Sequence, residues 1–282
     1  MRSALVSAEW LIAHLAEVVV LDASSHLPTA GRDPHAEFNA AHIPSAQRFD
    51  IDKIAEPDDP LPHMVPSPAD FAVHMRALGL SDNDHVVMYD DSDVRSAARG
   101  WWMMRLFGHD RVSILNGGLA AWKAAGGDLE AGPARTRPAG GFTSRKPAGV
   151  GVIDMATLLA DITSGAPGQI LDARAANRFS GEAPEPRKGL RAGHIPGSRN
   201  LPYTALLNAD GTYRDAAEMR DLFTAAGITP DAPVVASCGS GVTACVLAVG
   251  LHLLSNDAVR VYDGSWTEWG AGTAPIGSGP AK

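Results

Sequence analysis

Pro233-Val234-Val235-Ala236-Ser237-Cys238-Gly239-Ser240-Gly241-Val242-Thr243-Ala244 is the stretch that sets the fold. A short apolar run ends in a cysteine, a loop with two glycines follows, and a second apolar run extends from Ala244 to Leu254. That order predicts a strand over Pro233–Ser237, a tight loop, and a helix over Val242–Leu254. Glycines at 239 and 241 let the backbone curl around an anion, and the amides and helix dipole favour a thiolate over a thiol. A cysteine at the end of a buried strand is ordinarily packing. Gly-x-Gly directly after it, at a strand-to-helix junction, argues instead for an anionic nucleophile or a carrier of an anionic group.

The same alternation extends outward over the whole chain. Strands are expected at Val18–Asp22, His85–Tyr89, Val112–Leu115, Gln169–Asp172 and Val259–Tyr262. Helices are expected at Ser7–Leu15, Ala69–Ala77, Ser96–Phe107, Met155–Ile162 and Ala216–Ala225, with Ser7, Ser96 and Asp154 at capping or first-turn positions. Strands separated by helices imply an α/β class with a mostly parallel sheet covered on both faces, and ligands at the carboxyl ends of the strands.

The chain is also written twice. Val18-Val19-Val20-Leu21-Asp22-Ala23 reappears as Gln169-Ile170-Leu171-Asp172-Ala173, and Ala41-His42-Ile43-Pro44 as Gly193-His194-Ile195-Pro196. Val86-Val87-Met88-Tyr89-Asp90 stands opposite Val234-Val235-Ala236-Ser237-Cys238, and Asn116-Gly117-Gly118 through Trp122 opposite Asp263-Gly264-Ser265 through Trp269. The offset stays near 150 residues, far beyond a solenoid period, so this is domain duplication. The expected boundaries are a first domain at 1–126, a linker rich in Gly, Pro and Ala at 127–150, a second domain at 151–282, and an irregular tail from Gly270. Asp90 stands where Cys238 stands in the second copy, so the first domain is expected to be catalytically silent. His42, His194, Asp22 and Asp172 recur in both copies and read as structural.

Bulk properties narrow the class. With 282 residues, 45% of them hydrophobic and 20% charged, the chain has material for two cores. A net charge of −8 argues against a nucleic-acid surface. No apolar run reaches the length of a membrane span, and Glu9, His14 and Glu17 spoil a signal-peptide core at the start. Two cysteines suit a reducing compartment, hence an expected cytoplasmic location, and Cys245 reads as core. The ten histidines form no His-Glu-x-x-His pattern and there is no Cys-x-x-Cys, so no metal is expected.

The duplicated frame, the paired His-Ile-Pro, the terminal Asp-Gly-Ser-Trp and the Cys238 loop resemble the tandem-domain rhodanese family, over nearly the whole chain. Cys-Gly-Ser-Gly-Val-Thr resembles its 3-mercaptopyruvate sulfurtransferase branch. The thiosulfate branch typically carries basic residues where Gly239 and Ser240 stand, as a compact dianion would require. The resemblance implies two mostly parallel, helix-flanked sheets and a sulfurtransferase that passes sulfur through a Cys238 persulfide. Carried over by residue, Arg178 and Arg187 in Asn177–Arg187 would bind the keto acid, a task suited to a guanidinium fork. The amides of Gly239, Ser240, Gly241, Val242 and Thr243 would hold the persulfide. Asp52, His63 and Ser240 match a proposed proton relay, or a hydrogen-bond network that only shapes the cleft.

The implied reaction has two halves. Cys238 takes sulfur from 3-mercaptopyruvate and releases pyruvate; a thiol, a thioredoxin-like protein or cyanide then removes it, with no organic cofactor. Thiosulfate as donor, and a non-catalytic sulfur carrier, remain as alternatives. A Cys-dependent phosphatase would want an arginine six residues after the cysteine, where this chain has Ala244.

Overall fold

The computed structural model describes residues 3–145, 150–166 and 168–281. The chain divides into two compact units. One comprises Met1–Pro57, Val65–Ala148 and Ala209–Thr212; the other Asp58–Met64, Gly149–Asn208 and Tyr213–Lys282.

In the first unit the order is β1 (Leu5–Val6), α1 (Ala8–His14), β2 (Val19–Asp22), α2 (Pro34–Ala40), β3 (Gln47–Arg48), α3 (Pro68–Ala77), β4 (Val86–Tyr89), α4 (Ala97–Leu106), β5 (Val112–Leu115) and α5 (Gly118–Ala124). The sheet is β1-β5-β4-β2-β3, parallel throughout, with Val20 opposite Val87 and Val86 opposite Val112. The second unit repeats the plan with β6 (Gly151–Ile153), α6 (Met155–Thr163), β7 (Gln169–Asp172), α7 (Ala176–Ser180), β8 (Arg199–Asn200), α8 (Ala216–Ala225), β9 (Val234–Ser237), α9 (Ala244–Leu253), β10 (Val259–Tyr262) and α10 (Ser265–Trp269). Its parallel sheet runs β6-β10-β9-β7-β8, which sets β9 in the centre.

The central strands are buried along their whole length, which is why they read as unbroken apolar runs rather than as alternation. Helix starts follow side-chain chemistry. Ser7, Asp33, Ser67, Asp154 and Asp215 each accept an amide of the first turn, the Asp215 bond reaching Glu218 N at 2.8 Å. Ser96 sits before α4 but caps nothing; its Oγ accepts from Ser25 N at 3.1 Å. Each unit has its own core, one around Val20, Val87, Tyr89 and Trp122, the other around Ile170, Val235, Tyr262 and Trp266.

Two segments expected to be irregular are docked instead. In the first unit Glu130 and His42 exchange backbone hydrogen bonds of 2.9 Å in each direction. Gln47 Nε2 donates to Arg135 O, Arg76 Nε to Phe142 O, and Phe142 is fully buried beside Phe71. The expected linker is therefore, up to residue 145, a strap on the first unit; its residues 146–149 lie outside the described ones. In the second unit Gly277 exchanges the same pair of bonds with His194. The Arg191 guanidinium gathers the carbonyls of Trp269, Gly270 and Ala274. The tail is thus the strap's counterpart, and it too is ordered by backbone pairing that composition does not reveal. Both histidines serve this frame, His42 stacking on Phe38 at 4.0 Å and His194 on Phe179 at 3.9 Å.

Candidate active site

β9 delivers Cys238 to the carboxyl end of the central strand of the second unit, the expected place for a ligand in a parallel α/β sheet. Cys238 is 2% exposed, but polar groups rather than hydrocarbon surround its backbone. Ser265 Oγ accepts from Cys238 N at 3.1 Å and from Gly241 N at 3.2 Å, and donates to Tyr262 O at 2.7 Å. The same oxygen stands 4.0 Å from Cys238 Sγ. Cys238 O accepts from Trp266 N, and Gly239 O from both Thr267 N and Thr267 Oγ1. The start of α10 thus clamps the loop from one side.

The remaining amides of the loop are unused. The N–H groups of Gly239, Ser240, Val242 and Thr243 take no partner among the described residues, and Thr243 makes no side-chain cap on α9. Gly241 lies in the left-handed region, φ +76°, which turns the chain back on itself. Of the five amides expected to face an anion, the one at Gly241 is directed to Ser265 instead; its contribution is to hold the curl. The others, with the dipole of the ten-residue α9 behind them, form a concentration of unused donors at the cysteine.

Arg178 comes to this loop from α7. Its Nη2 lies 3.3 Å from the point a β-carbon on Gly239 would occupy, so a bare glycine there gives the guanidinium its seat. Behind it runs an alternating ladder of charge. Asp172 pairs with Arg174 at 2.7 Å, Arg174 with Glu185 at 2.7 Å, and Glu185 with Arg178. Arg174 is fully buried and stacks over Trp266 at 4.3 Å. Burial alone would pull its pKa down, but Asp172 and Glu185 more than offset that and hold it above the usual arginine value. Two carboxylates and two guanidiniums balance, so the ladder is stable in the interior while its last member remains 22% exposed beside the cysteine.

Of the residues singled out from sequence, Cys238, Gly239, Ser240, Gly241, Val242, Thr243 and Arg178 are gathered around this loop. Arg187 is half-buried on the same 181–191 segment as Glu185. His63, half-buried with φ +63°, belongs to the Asp58–Met64 segment of the second unit. Asp52 is exposed, belongs to the first unit, and follows β3 in a turn where its N–H donates to Asp50 Oδ1 at 3.1 Å. Three contributors were not assigned from sequence: Ser265, Thr267 and Glu185. The signal for Ser265 is its opposition to Gly118 in the duplicated frame, a difference that accompanies Asp90 against Cys238.

The first unit carries a plugged version of this site. Asp90 Oδ2 accepts from Ala97 N at 2.7 Å, so a fixed carboxylate occupies the start of α4. The stacked Phe–His pairs align Glu37 with Arg178, each directly preceding the phenylalanine, and Glu37 is itself held by Arg32 and His26. In the aligned position a carboxylate thus stands for the guanidinium.

Comparison with known proteins agrees with this geometry. The rhodanese-like domain matches residues 7–125 and again 155–271. The chain is 43% identical to 3-mercaptopyruvate sulfurtransferase of Escherichia coli, covering 94% of each protein. It is 42% identical to thiosulfate/3-mercaptopyruvate sulfurtransferase 1, mitochondrial, of Arabidopsis thaliana, covering 94% of this chain and 75% of that one. The crystal structure of SseA from Escherichia coli, a 3-mercaptopyruvate sulfotransferase, superposes with a TM-score of 0.84 at 39% identity, over 94% of this chain and 99% of that one. With the motif matched twice, the duplicated parallel sheets and relatives this similar along nearly the entire sequence, the chain belongs to the rhodanese-like family as a protein of two tandem domains.

Proposed function

We propose that this protein is a 3-mercaptopyruvate sulfurtransferase working through a persulfide on Cys238. The observation that carries the reading is a cysteine held in a loop with four unused amides, beside a guanidinium seated on Gly239. The name of the Escherichia coli relative supports the same donor, and that of the Arabidopsis thaliana relative includes it beside thiosulfate.

In the first half-reaction the Cys238 thiolate attacks the sulfur of 3-mercaptopyruvate. The S–S bond forms, the S–C3 bond breaks, and its electron pair passes to C3 as the enolate of pyruvate. The mercapto proton ends on C3, so thiolate plus mercaptopyruvate becomes persulfide anion plus pyruvate. The amides of Gly239, Ser240, Val242 and Thr243 stabilise the terminal sulfur. Arg178 and Arg187 bind the carboxylate and ketone oxygen, and charge neutralisation by the guanidinium eases enolate formation. His63, acting through Ser240, carries the proton. In the second half a nucleophile attacks the outer sulfur and Cys238 leaves as thiolate. Cyanide does this as thiocyanate is formed; a small thiol or a thioredoxin-like protein is the cellular acceptor. Two cysteines outside any disulfide, together with thiolate chemistry, support a reducing compartment such as the cytoplasm. No described helix is long and apolar enough to cross a membrane.

Thiosulfate is the lesser donor in this reading, because positions 239 and 240 bring no cation to the loop. Mass spectrometry after exposure to each donor tests both points. Mercaptopyruvate should add one sulfur atom and release pyruvate, and Cys238→Ser should add none. A persulfide that survives that substitution, or a larger kcat/KM with thiosulfate, rejects the assignment.

A further inference from the structure

We infer that Glu185 is the positioning residue that aims Arg178 at the substrate; this rests on the reading of Arg178 as a carboxylate-binding group. Glu185 takes the Nε and Nη2 flank of the Arg178 guanidinium. Nη1 takes no partner among the described residues, so the Nη1/Nη2 end is the edge left for a ligand, and Nη2 is the atom that abuts Gly239. A guanidinium offers two such forked edges, and an α-keto carboxylate needs one of them whole. Glu185 decides which.

It can do so because it is itself immobile. Its side chain is 2% exposed, and its Oε1 also receives Arg174 Nη1 at 2.7 Å. Arg174 in turn is fixed by Asp172, by Gly193 O at 2.8 Å and by Trp266. Trp266 N donates to Cys238 O, so the residue beneath Arg174 also ties the nucleophile. Orientation therefore passes from the β7 terminus through Glu185 to one edge of Arg178, in a rigid framework shared with the cysteine. Without Glu185 the long Arg178 side chain would sample several rotamers, and substrate binding would bear the loss of that freedom.

The test is a cycle of Glu185→Gln, Arg178→Lys and the double variant, assayed with 3-mercaptopyruvate and monitored for folding by thermal melting. Gln keeps an acceptor for Arg174 but loses the charge-assisted fork. It should raise KM by about tenfold while kcat moves less than about threefold, since the lost interaction is one of ground-state binding. In the Arg178→Lys background the same exchange should change KM less than about twofold, because the edge to be aimed is gone. Glu185→Asp, which keeps the charge on a shorter arm, should fall between Gln and the parent, and it replaces Gln if that variant does not fold. An unchanged KM in Glu185→Gln, or equal penalties in both backgrounds, overturns the inference. An unchanged KM in Arg178→Lys itself overturns instead the carboxylate-binding reading.

Discussion

Ser265 holds the backbone of Cys238 and Gly241 with a single oxygen, while its one proton goes to Tyr262 O. It is therefore an anchor that accepts rather than a donor to sulfur. Ser265→Ala should strand two buried amides, with a stability loss of roughly 1–3 kcal/mol for each one left unsatisfied. Pyruvate release in a single turnover should slow by at least about tenfold as the loop loosens, since misplacement of reacting groups is penalised steeply. A lowered melting temperature with an unaltered single-turnover rate would show that the anchor serves folding alone. In the first unit, burial drives the Asp90 carboxyl up to about 6, against the help of Ala97 N and Arg95. The folded chain then keeps a proton that the unfolded chain releases near 3.8, so this contribution to stability is fullest below that value and is lost as pH rises through about 6. The span corresponds to at most ~3 kcal/mol. Asp90→Asn retains an acceptor for Ala97 and should gain on the parent between pH 4.5 and 7.5 in urea melts; parallel pH curves would refute it. Cys238 and Arg178 were legible in the sequence because their chemistry is carried by residue type in a motif. Ser265 and Glu185 were not, since a hydroxyl that accepts amides and a carboxylate that orients an arginine look like any serine or surface glutamate until the fold places them.

At the level of elements, the buried central strands and helices α1, α3, α4, α6, α8 and α9 follow directly from their sequences. β1, β3, β6 and β8 do not, because two or three residues at a sheet edge carry neither alternation nor an apolar run. The docked straps escaped notice for a related reason. Gly, Pro and Ala predict an absence of regular structure, and that is correct, but order here comes from single backbone pairs and guanidinium–carbonyl bonds that have no periodicity. Adjacent glycines in the first strap expose the difference. A β-carbon on Gly140 would stand 1.8 Å from Leu80 O, whereas one on Gly141 meets only Ser81 Oγ at 3.8 Å. Gly140→Ala should therefore lift the strap from α3, breaking the 2.9 Å bond from Gly140 N to Arg76 O. A destabilisation of more than about 2 kcal/mol is expected, against less than about 0.5 for Gly141→Ala. Equal urea midpoints for the two would mean that 127–145 is a tether and not part of the first unit.

For the molecule as a whole, duplication has preserved the frame and divided the chemistry. Leu119 N donates to Asp90 O at 2.9 Å where Trp266 N donates to Cys238 O at 3.0 Å, so one backbone bond of the clamp is retained in the silent copy. Four aligned positions differ: Asp90 for Cys238, Gly118 for Ser265, Ala120 for Thr267, and Glu37 for Arg178. Gly118 also resists change toward the active pattern, since a β-carbon there would come within 2.3 Å of Asp90 O at φ +61°. A nucleophile alone should thus not revive the first domain. In the variant Asp90→Cys with Cys238→Ser, the new thiol has no serine anchor, and the counterpart of Arg178 is a carboxylate, Glu37, its pKa lowered by Arg32; the cation nearest residue 90 is Arg95, 4.0 Å from Asp90. A carboxylate in place of the guanidinium opposes a donor that must bring its own negative charge. Incubation with 3-mercaptopyruvate should therefore leave this variant without an added sulfur and without pyruvate release above the Cys238→Ser background. A persulfide at residue 90 under the conditions that load the parent would mean that the loop and strand suffice, and that the arginine, its glutamate and the serine anchor are refinements rather than requirements.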